Sequence, residues 1–332
     1  MHFSPAWWLR NPHAQTVWGR LTRSRRLVPL RREIVSTPDG DELALDHLDA
    51  SNPSLHLVLM HGLEGSSRSV YIQGILNMAA RRGWSATAIN FRSCAREPEH
   101  LNRRPRFYHS GETGDLAFAL DRVQHEHPDS PVLLAGVSLG GNVLLKFLGE
   151  RGADVDDRVV AAATISVPYD LERGARHIST GFSRIYDRHF LRTLRRKALA
   201  KLEHYPGLFD SSALDRAESI YGFDDAVTAP VHGFDDAHDY YSRSSSLGFL
   251  GRVRRPTLLL SAFDDPFLPK EVLDEVRAIA TGNDCLELEF VEHGGHVGFV
   301  AGRLPWRPFY FAEWRVCEFL ATKLEKSTGV LK

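Results

Sequence analysis

Pro131-Val-Leu-Leu-Ala-Gly-Val-Ser-Leu-Gly-Gly141 reads as a buried strand that stops abruptly and turns into a helix, with Ser138 at the corner. Val132–Ala135 is a continuous apolar run, the pattern of a strand covered on both faces. Asn142-Val-Leu-Leu-Lys-Phe-Leu-Gly149 follows with helical patterning, so a helix N-terminus points at the serine. Gly136-Val137-Ser138-Leu139-Gly140 matches G-x-S-x-G, in which a serine sits on a sharp strand-to-helix turn. Such a turn strains the backbone at the serine, and side chains two residues to either side would collide, which explains the glycines.

Strands and helices alternate on both sides of this corner. Arg32–Thr37 and Glu42–Leu48 read as two strands joined by the turn Pro38-Asp39-Gly40. Leu55–Met60 is a core strand that ends in His61-Gly62-Leu63-Glu64-Gly65. Val70–Arg82 is helical, with Gly83 as its C-terminal stop, and Trp84–Phe91 is a further strand. Thr113 is placed to cap a helix over Asp115–His127. Beyond the corner, Val159–Val167 supplies a strand, and helical segments then dominate from Asp170 to Gly251. The strand pattern resumes at Pro256–Ser261, followed by a helix over Lys270–Ala280, a strand over Leu286–Val291 and a closing helix from Pro308 to Lys326. This order predicts an α/β fold with a mostly parallel central sheet, antiparallel leading strands at one edge and helices on both faces.

Composition narrows the classes of function. At 332 residues, with 43% hydrophobic and 25% charged, the chain builds a sizeable core as one large domain or two modest ones. A net charge of −1 offers no global attraction to nucleic acid or acidic membranes. Three widely separated cysteines, Cys94, Cys285 and Cys317, fit a reducing compartment without a disulfide framework. The opening Met-His-Phe-Ser-Pro-Ala-Trp-Trp is no secretory signal, and no apolar run reaches the length of a membrane span, so the expected location is cytoplasmic. Residues 1–30 carry Trp7, Trp8, Trp18, Arg20, Arg23, Arg25 and Arg26, which fit either an arm packed on the core or a contact with a lipid surface.

Ligands bind beyond the carboxyl ends of the strands in open α/β sheets. Three strands end there in Ser138, in Asp264-Asp265, and in Glu292-His293-Gly294-Gly295-His296. Serine, carboxylate and histidine in that chain order is the arrangement of α/β-hydrolases. A serine hydroxyl needs a histidine to take its proton, and the histidine needs a carboxylate to fix its tautomer. His296 is read as the base because two glycines free its loop, while His293 stays closer to the strand; either aspartate fits the carboxylate role. An oxyanion hole needs two aimed N–H groups, assigned to the backbone of Leu139 and of Leu63, with Gly62 admitting close approach and His61 anchoring the loop. No H-E-x-x-H pair or phosphate loop appears, so neither a metal nor another cofactor is expected.

His61-Gly-Leu-Glu-Gly65, Asn90-Phe-Arg-Ser-Cys94, Tyr108-His-Ser-Gly-Glu-Thr113, Gly136-Val-Ser-Leu-Gly-Gly-Asn142, Asp264-Asp-Pro-Phe267 and Glu292-His-Gly-Gly-His-Val-Gly-Phe299 resemble the YheT-like branch of the α/β-hydrolase superfamily, itself similar to mammalian abhydrolase-domain phospholipases. Asn11-Pro-His-Ala-Gln-Thr16 fits as well, so the resemblance spans nearly the whole chain. It implies a serine esterase of carboxylesterase or acylglycerol-lipase type, with Ser138, Asp265 and His296 in the catalytic roles. Asp265 is preferred to Asp264 because Asp265-Pro-Phe-Leu-Pro269 resembles the family's Asp-x-x-x-Pro. The implied organisation is an N-terminal arm (1–30), an α/β-hydrolase core (31–169 and 252–332) and a helical cap (170–251). Ser93 stands where the family usually has glycine. Arg92 and Glu112 fall in loops at the ligand edge and are expected to pair there, either bracing the oxyanion region or as an ordinary loop salt bridge. The expected partner is a small-molecule or lipid ester, with no nucleic acid, and with peripheral lipid contact through the arm or cap as one reading. Two alternatives stay open: an acyltransferase using the same triad, and a non-catalytic binding protein on a hydrolase scaffold.

Overall fold

The computed structural model describes residues 1–23, 27–51, 53, 55–96 and 100–328; Arg25 and Arg26 of the N-terminal arm lie outside them. Eight strands form one sheet: β1 (Arg31–Ser36), β2 (Glu42–Leu48), β3 (His56–Met60), β4 (Ser85–Asn90), β5 (Val132–Val137), β6 (Val159–Ile165), β7 (Thr257–Ala262) and β8 (Leu286–Val291). Their order across it is β1-β2-β4-β3-β5-β6-β7-β8. β1 pairs antiparallel with β2, and β2 antiparallel with β4. Every later pairing is parallel, so the leading strands are antiparallel and the rest of the sheet is as the alternation predicts.

The α-helices of the described residues are α1 (Pro12–Thr22), α2 (Val70–Arg81), α3 (Gly114–Glu126), α4 (Leu139–Arg151), α5 (Leu171–Ile178), α6 (Arg184–His204), α7 (Ser211–Arg216), α8 (Ile220–Phe223), α9 (Ala229–His232), α10 (Ala237–Ser244), α11 (Glu271–Ala280) and α12 (Phe311–Thr328). Successive residues of a strand point to opposite faces, and β5 shows the consequence. Val132 and Leu134 pack with α3, α4 and α11 on one face, while Leu133 and Ala135 pack with α2 and α12 on the other. A strand covered twice has no polar side, which is why its sequence is unbroken apolar. Helices α5 to α10 fill the connection between β6 and β7 and carry two small apolar cores of their own. No helix of the described residues is long and apolar enough to cross a membrane.

Residues 1–30, for which no helix was expected, contain one: Asn11 accepts the Ala14 N–H, Pro12 takes the first turn, and α1 follows. Two local expectations are corrected. The closing helix begins at Phe311, because Val300–Leu304 and Arg307–Tyr310 pair as a hairpin, β9 and β10, that takes Pro308 into a strand. Thr113 does not cap α3 through its side chain; its hydroxyl donates to Glu150 and Glu112 takes the Gly114 N–H instead. Within the arm, Trp8 packs on Trp18 with ring centres 4.9 Å apart, whereas Trp7 stays 69% exposed.

Burial also sets how stability responds to pH. His56, His61 and His109 are each held down at about 3 by burial, and His232 at about 2. The unfolded chain protonates the same rings near an ordinary value of about 6.5. Below that pH the unfolded state binds more protons, so stability is lost as pH falls from about 6.5 towards 3. Glu313 and Asp224, pushed up by burial to about 7 and about 6, act in the opposite sense, since their folded forms protonate first. Four rings outweigh two carboxyls. The urea midpoint is therefore expected to fall between pH 7 and pH 5; a midpoint that holds or rises contradicts the buried-neutral reading of these histidines.

Candidate active site

Ser138 adopts φ +53° and ψ −121° between β5 and α4, a region an L-residue enters only under constraint. A Cβ on Gly136 would lie 2.5 Å from the Gly140 carbonyl oxygen, and one on Gly140 would lie 2.6 Å from that of His61. Both glycines are thus required by close backbone approach, the first within the corner and the second against the end of β3.

The three strand ends converge. His296 Nε2 lies 3.0 Å from Ser138 Oγ. Its Nδ1 lies 2.9 Å and 3.2 Å from the two Asp265 oxygens. A carboxylate facing Nδ1 requires the proton on that nitrogen, which leaves the Nε2 lone pair for the serine hydroxyl. Asp265 Oδ1 also accepts the Phe267 N–H at 2.8 Å, and the Phe267 ring stacks on the imidazole at 4.0 Å. His296 and Asp265 are both buried. Asp264 is turned elsewhere, accepting the Gly294 and Gly295 amides at 2.8 and 2.9 Å and facing His293, so it ties down the histidine loop.

The glycines of that loop serve a purpose other than freedom of movement. A Cβ on Gly295 would meet the Pro12 carbonyl at 2.4 Å, and one on Gly298 the Gln15 carbonyl at 2.5 Å, so they admit α1 against the loop. Gln15 is fully buried; its Nε2 donates to the Leu9 and Val300 carbonyls and its Oε1 accepts the Val300 N–H. Thr16 Oγ1 accepts the His296 N–H at 3.0 Å. Val297, held at φ +60°, donates its N–H to Ser166 Oγ. A β-branched residue there is an outlier that persists only when its surroundings fix it.

Beside the serine, Gly62 approaches so closely that a Cβ would lie 3.1 Å from Ser138 Cβ. The Gly62 N–H is taken by the Tyr71 hydroxyl and the Glu64 N–H by that of Tyr108. Of the three successive amides, Leu63's is the one with no partner among the described residues, and Leu63 and Leu139 both line the cavity at Ser138. His61 anchors this loop, as expected, with Nδ1 on the Gly62 carbonyl and Nε2 accepting the Phe91 N–H. One contact had no sequence signal: Lys197 of α6 reaches Glu64 at 2.8 Å, linking the helical insertion to this loop. A pairing over 133 positions has no periodicity to betray it.

Arg92 and Glu112 do not pair. Arg92 binds Asp115, Asp41 and Asp39, the first two at 2.6 and 2.7 Å, while Glu112 pairs with Arg106. Two of these carboxylates, Asp41 and Asp115, share the burial of the guanidinium, and Asp115 lies in the first turn of α3. Ser93, where the resemblance expects glycine, sits at φ +63°, and its hydroxyl bonds Asn102. Arg92→Met strands two buried carboxylates and is expected to cost about 3–5 kcal/mol, read as the urea-unfolding free energy; a loss below about 1 kcal/mol would show the cluster to be well solvated.

A cavity of about 540 Å³ opens over Ser138 and His296, running beneath the helical insertion past Leu171, Ile178, Phe190 and Phe223. The model of the family described as alpha/beta hydrolase fold matches residues 56–302, and the chain belongs to that family. Its place there is the YheT-like branch. The Escherichia coli (strain K12) protein named "Putative esterase YheT" is 38% identical over 328 residues, covering 97% of this chain and 94% of that one. The Mus musculus protein "Phospholipase ABHD3" is 30% identical, covering 91% of this chain and 74% of its own length. Among solved structures, the Pyrococcus furiosus esterase Pf2001 superposes with a TM-score of 0.58 at 14% identity, covering 89% of this chain and 91% of that one. This last likeness concerns the fold alone.

Proposed function

We propose that the chain is a serine esterase that hydrolyses carboxylic esters through an acyl-enzyme on Ser138. The observation that carries this reading is the hydrogen-bonded series Ser138–His296–Asp265, of which Ser138 and His296 line a largely apolar cavity. Ser138 Oγ attacks the ester carbonyl as its proton passes to His296 Nε2, and Asp265 stabilises the imidazolium that forms. Negative charge gathers on the carbonyl oxygen, where the Leu63 and Leu139 amides receive it. Collapse expels the alcohol, which takes the proton from His296. Water then repeats the sequence on the acyl-enzyme and releases the acid. The chemistry uses no cofactor.

Residues 170–251 act as a cap whose apolar inner face receives the acyl group, and the names of the relatives support a lipid or other apolar ester as substrate. Exposed Trp7, and Phe182 and Ile185 in the cap, are the side chains such a substrate's membrane would meet. The test is a panel of esters with short, medium and long acyl chains, including diacyl phospholipids, assayed by acid release with and without a competing alcohol. Acid as the main product, with turnover that rises and then falls with chain length, is expected. No turnover across the panel, or transfer to the alcohol in preference to water, would overturn the reading.

A further inference from the structure

The block Asn11-Pro-His-Ala-Gln-Thr16 plays no part in the reaction above, yet it meets the histidine loop at its most constrained point. Thr16 Oγ1 donates to the Pro12 carbonyl of its own helix at 2.8 Å. With its proton so directed, the oxygen's lone pairs are left to accept the His296 backbone N–H, at 3.0 Å. The residue before it, Gln15, binds both the N–H and the carbonyl of Val300. The loop between them carries Gly295, Val297 and Phe299, all at positive φ, a conformation with no regular pairing to hold it. Gly295 and Gly298 leave no room for a side chain between loop and helix.

We propose that Thr16 is a positioning residue for the catalytic base, with α1 as the mount on which the His296 loop is set. The proposal rests on His296 acting as the base. The imidazole is held through its Nδ1 by Asp265 and across its face by Phe267, but both act on the ring; Thr16 fixes the backbone from which the ring hangs. A small displacement of a base from its nucleophile costs rate far more than it costs binding. Thr16 therefore acts on kcat.

Two substitutions separate this from mere packing. Thr16→Val keeps the shape and removes the acceptor; Thr16→Ser keeps the acceptor and removes the methyl group. T16V is expected to lower kcat about 10- to 100-fold with KM within about twofold, and T16S to restore kcat to within about threefold of the parent. Thr16→Ala, which also lacks the acceptor and suits a helix, should repeat the T16V loss if T16V does not fold. Labelling rates with a fluorophosphonate should follow the same order. Parent-like kcat and labelling in T16V and T16A would overturn the proposal, as would a loss in T16S alone, which marks the methyl group as the part that matters. A parent enzyme that the fluorophosphonate does not label speaks against the serine mechanism and is thereby distinguished from failure at Thr16.

Discussion

Ser138→Ala is expected to lower ester turnover by about 10⁴–10⁶-fold while leaving the thermal midpoint close to that of the parent. The physical reason lies in what the substitution removes. Alanine keeps the Cβ, so the constrained backbone at φ +53° is unchanged, and among the described residues the only hydrogen bond that Ser138 Oγ makes is the one to His296 Nε2. The nucleophile disappears and the corner remains. Residual hydrolysis above water is expected, since the Leu63 and Leu139 amides still bind the developing oxyanion. Turnover within tenfold of the parent, in a preparation free of other esterases, would move the nucleophile elsewhere.

Asp265→Asn should cost about 10³–10⁴-fold in kcat with little change in KM. The asparagine oxygen can still accept the Phe267 N–H that Asp265 Oδ1 accepts, so the loop is retained. The amide NH₂ then faces Nδ1 of His296, the ring carries its proton on Nε2, and a donor is aimed at the serine where an acceptor is needed. Asp264→Asn provides the contrast. Its oxygen can keep both glycine amides and loses only the pairing with His293, an exposed ring, so kcat should fall less than tenfold. Steady-state kinetics on one ester decides between the two carboxylates, and a larger loss in D264N would reverse their roles.

What the chain shows before folding is set by how local each determinant is. The corner at Ser138 is legible because G-x-S-x-G is a compact pattern and Gly136 is excluded from a side chain by Gly140 within the same five residues, although Gly140 itself is set by the distant end of β3. Strand ends are legible because an apolar run stops where the sheet stops. The partners of Arg92 were not, since Asp39, Asp41 and Asp115 come from two other segments and nothing in a single loop says which acid a buried guanidinium will meet. Helix α1 was missed because it is short and lacks a wide apolar stripe; its signal was the pair Asn11-Pro12, an N-cap followed by proline. Gly294-Gly295 read as glycines that free the loop to reach over the sheet, and Gly295 does take a positive φ; the sequence did not show that packing of the loop on α1 also excludes a side chain at Gly295 and at Gly298. A glycine pair carries either meaning, and only the neighbour that fills the space tells them apart.

The central claim is that Ser138 is made nucleophilic by His296, and covalent capture tests it most directly. The protein is treated with a fluorophosphonate, its intact mass is measured, and the modified peptide is mapped. One adduct per chain on Ser138 is predicted, absent from Ser138→Ala and formed at least 10³-fold more slowly in His296→Ala. Ester hydrolysis that persists with no adduct, or an adduct on another residue, would contradict it.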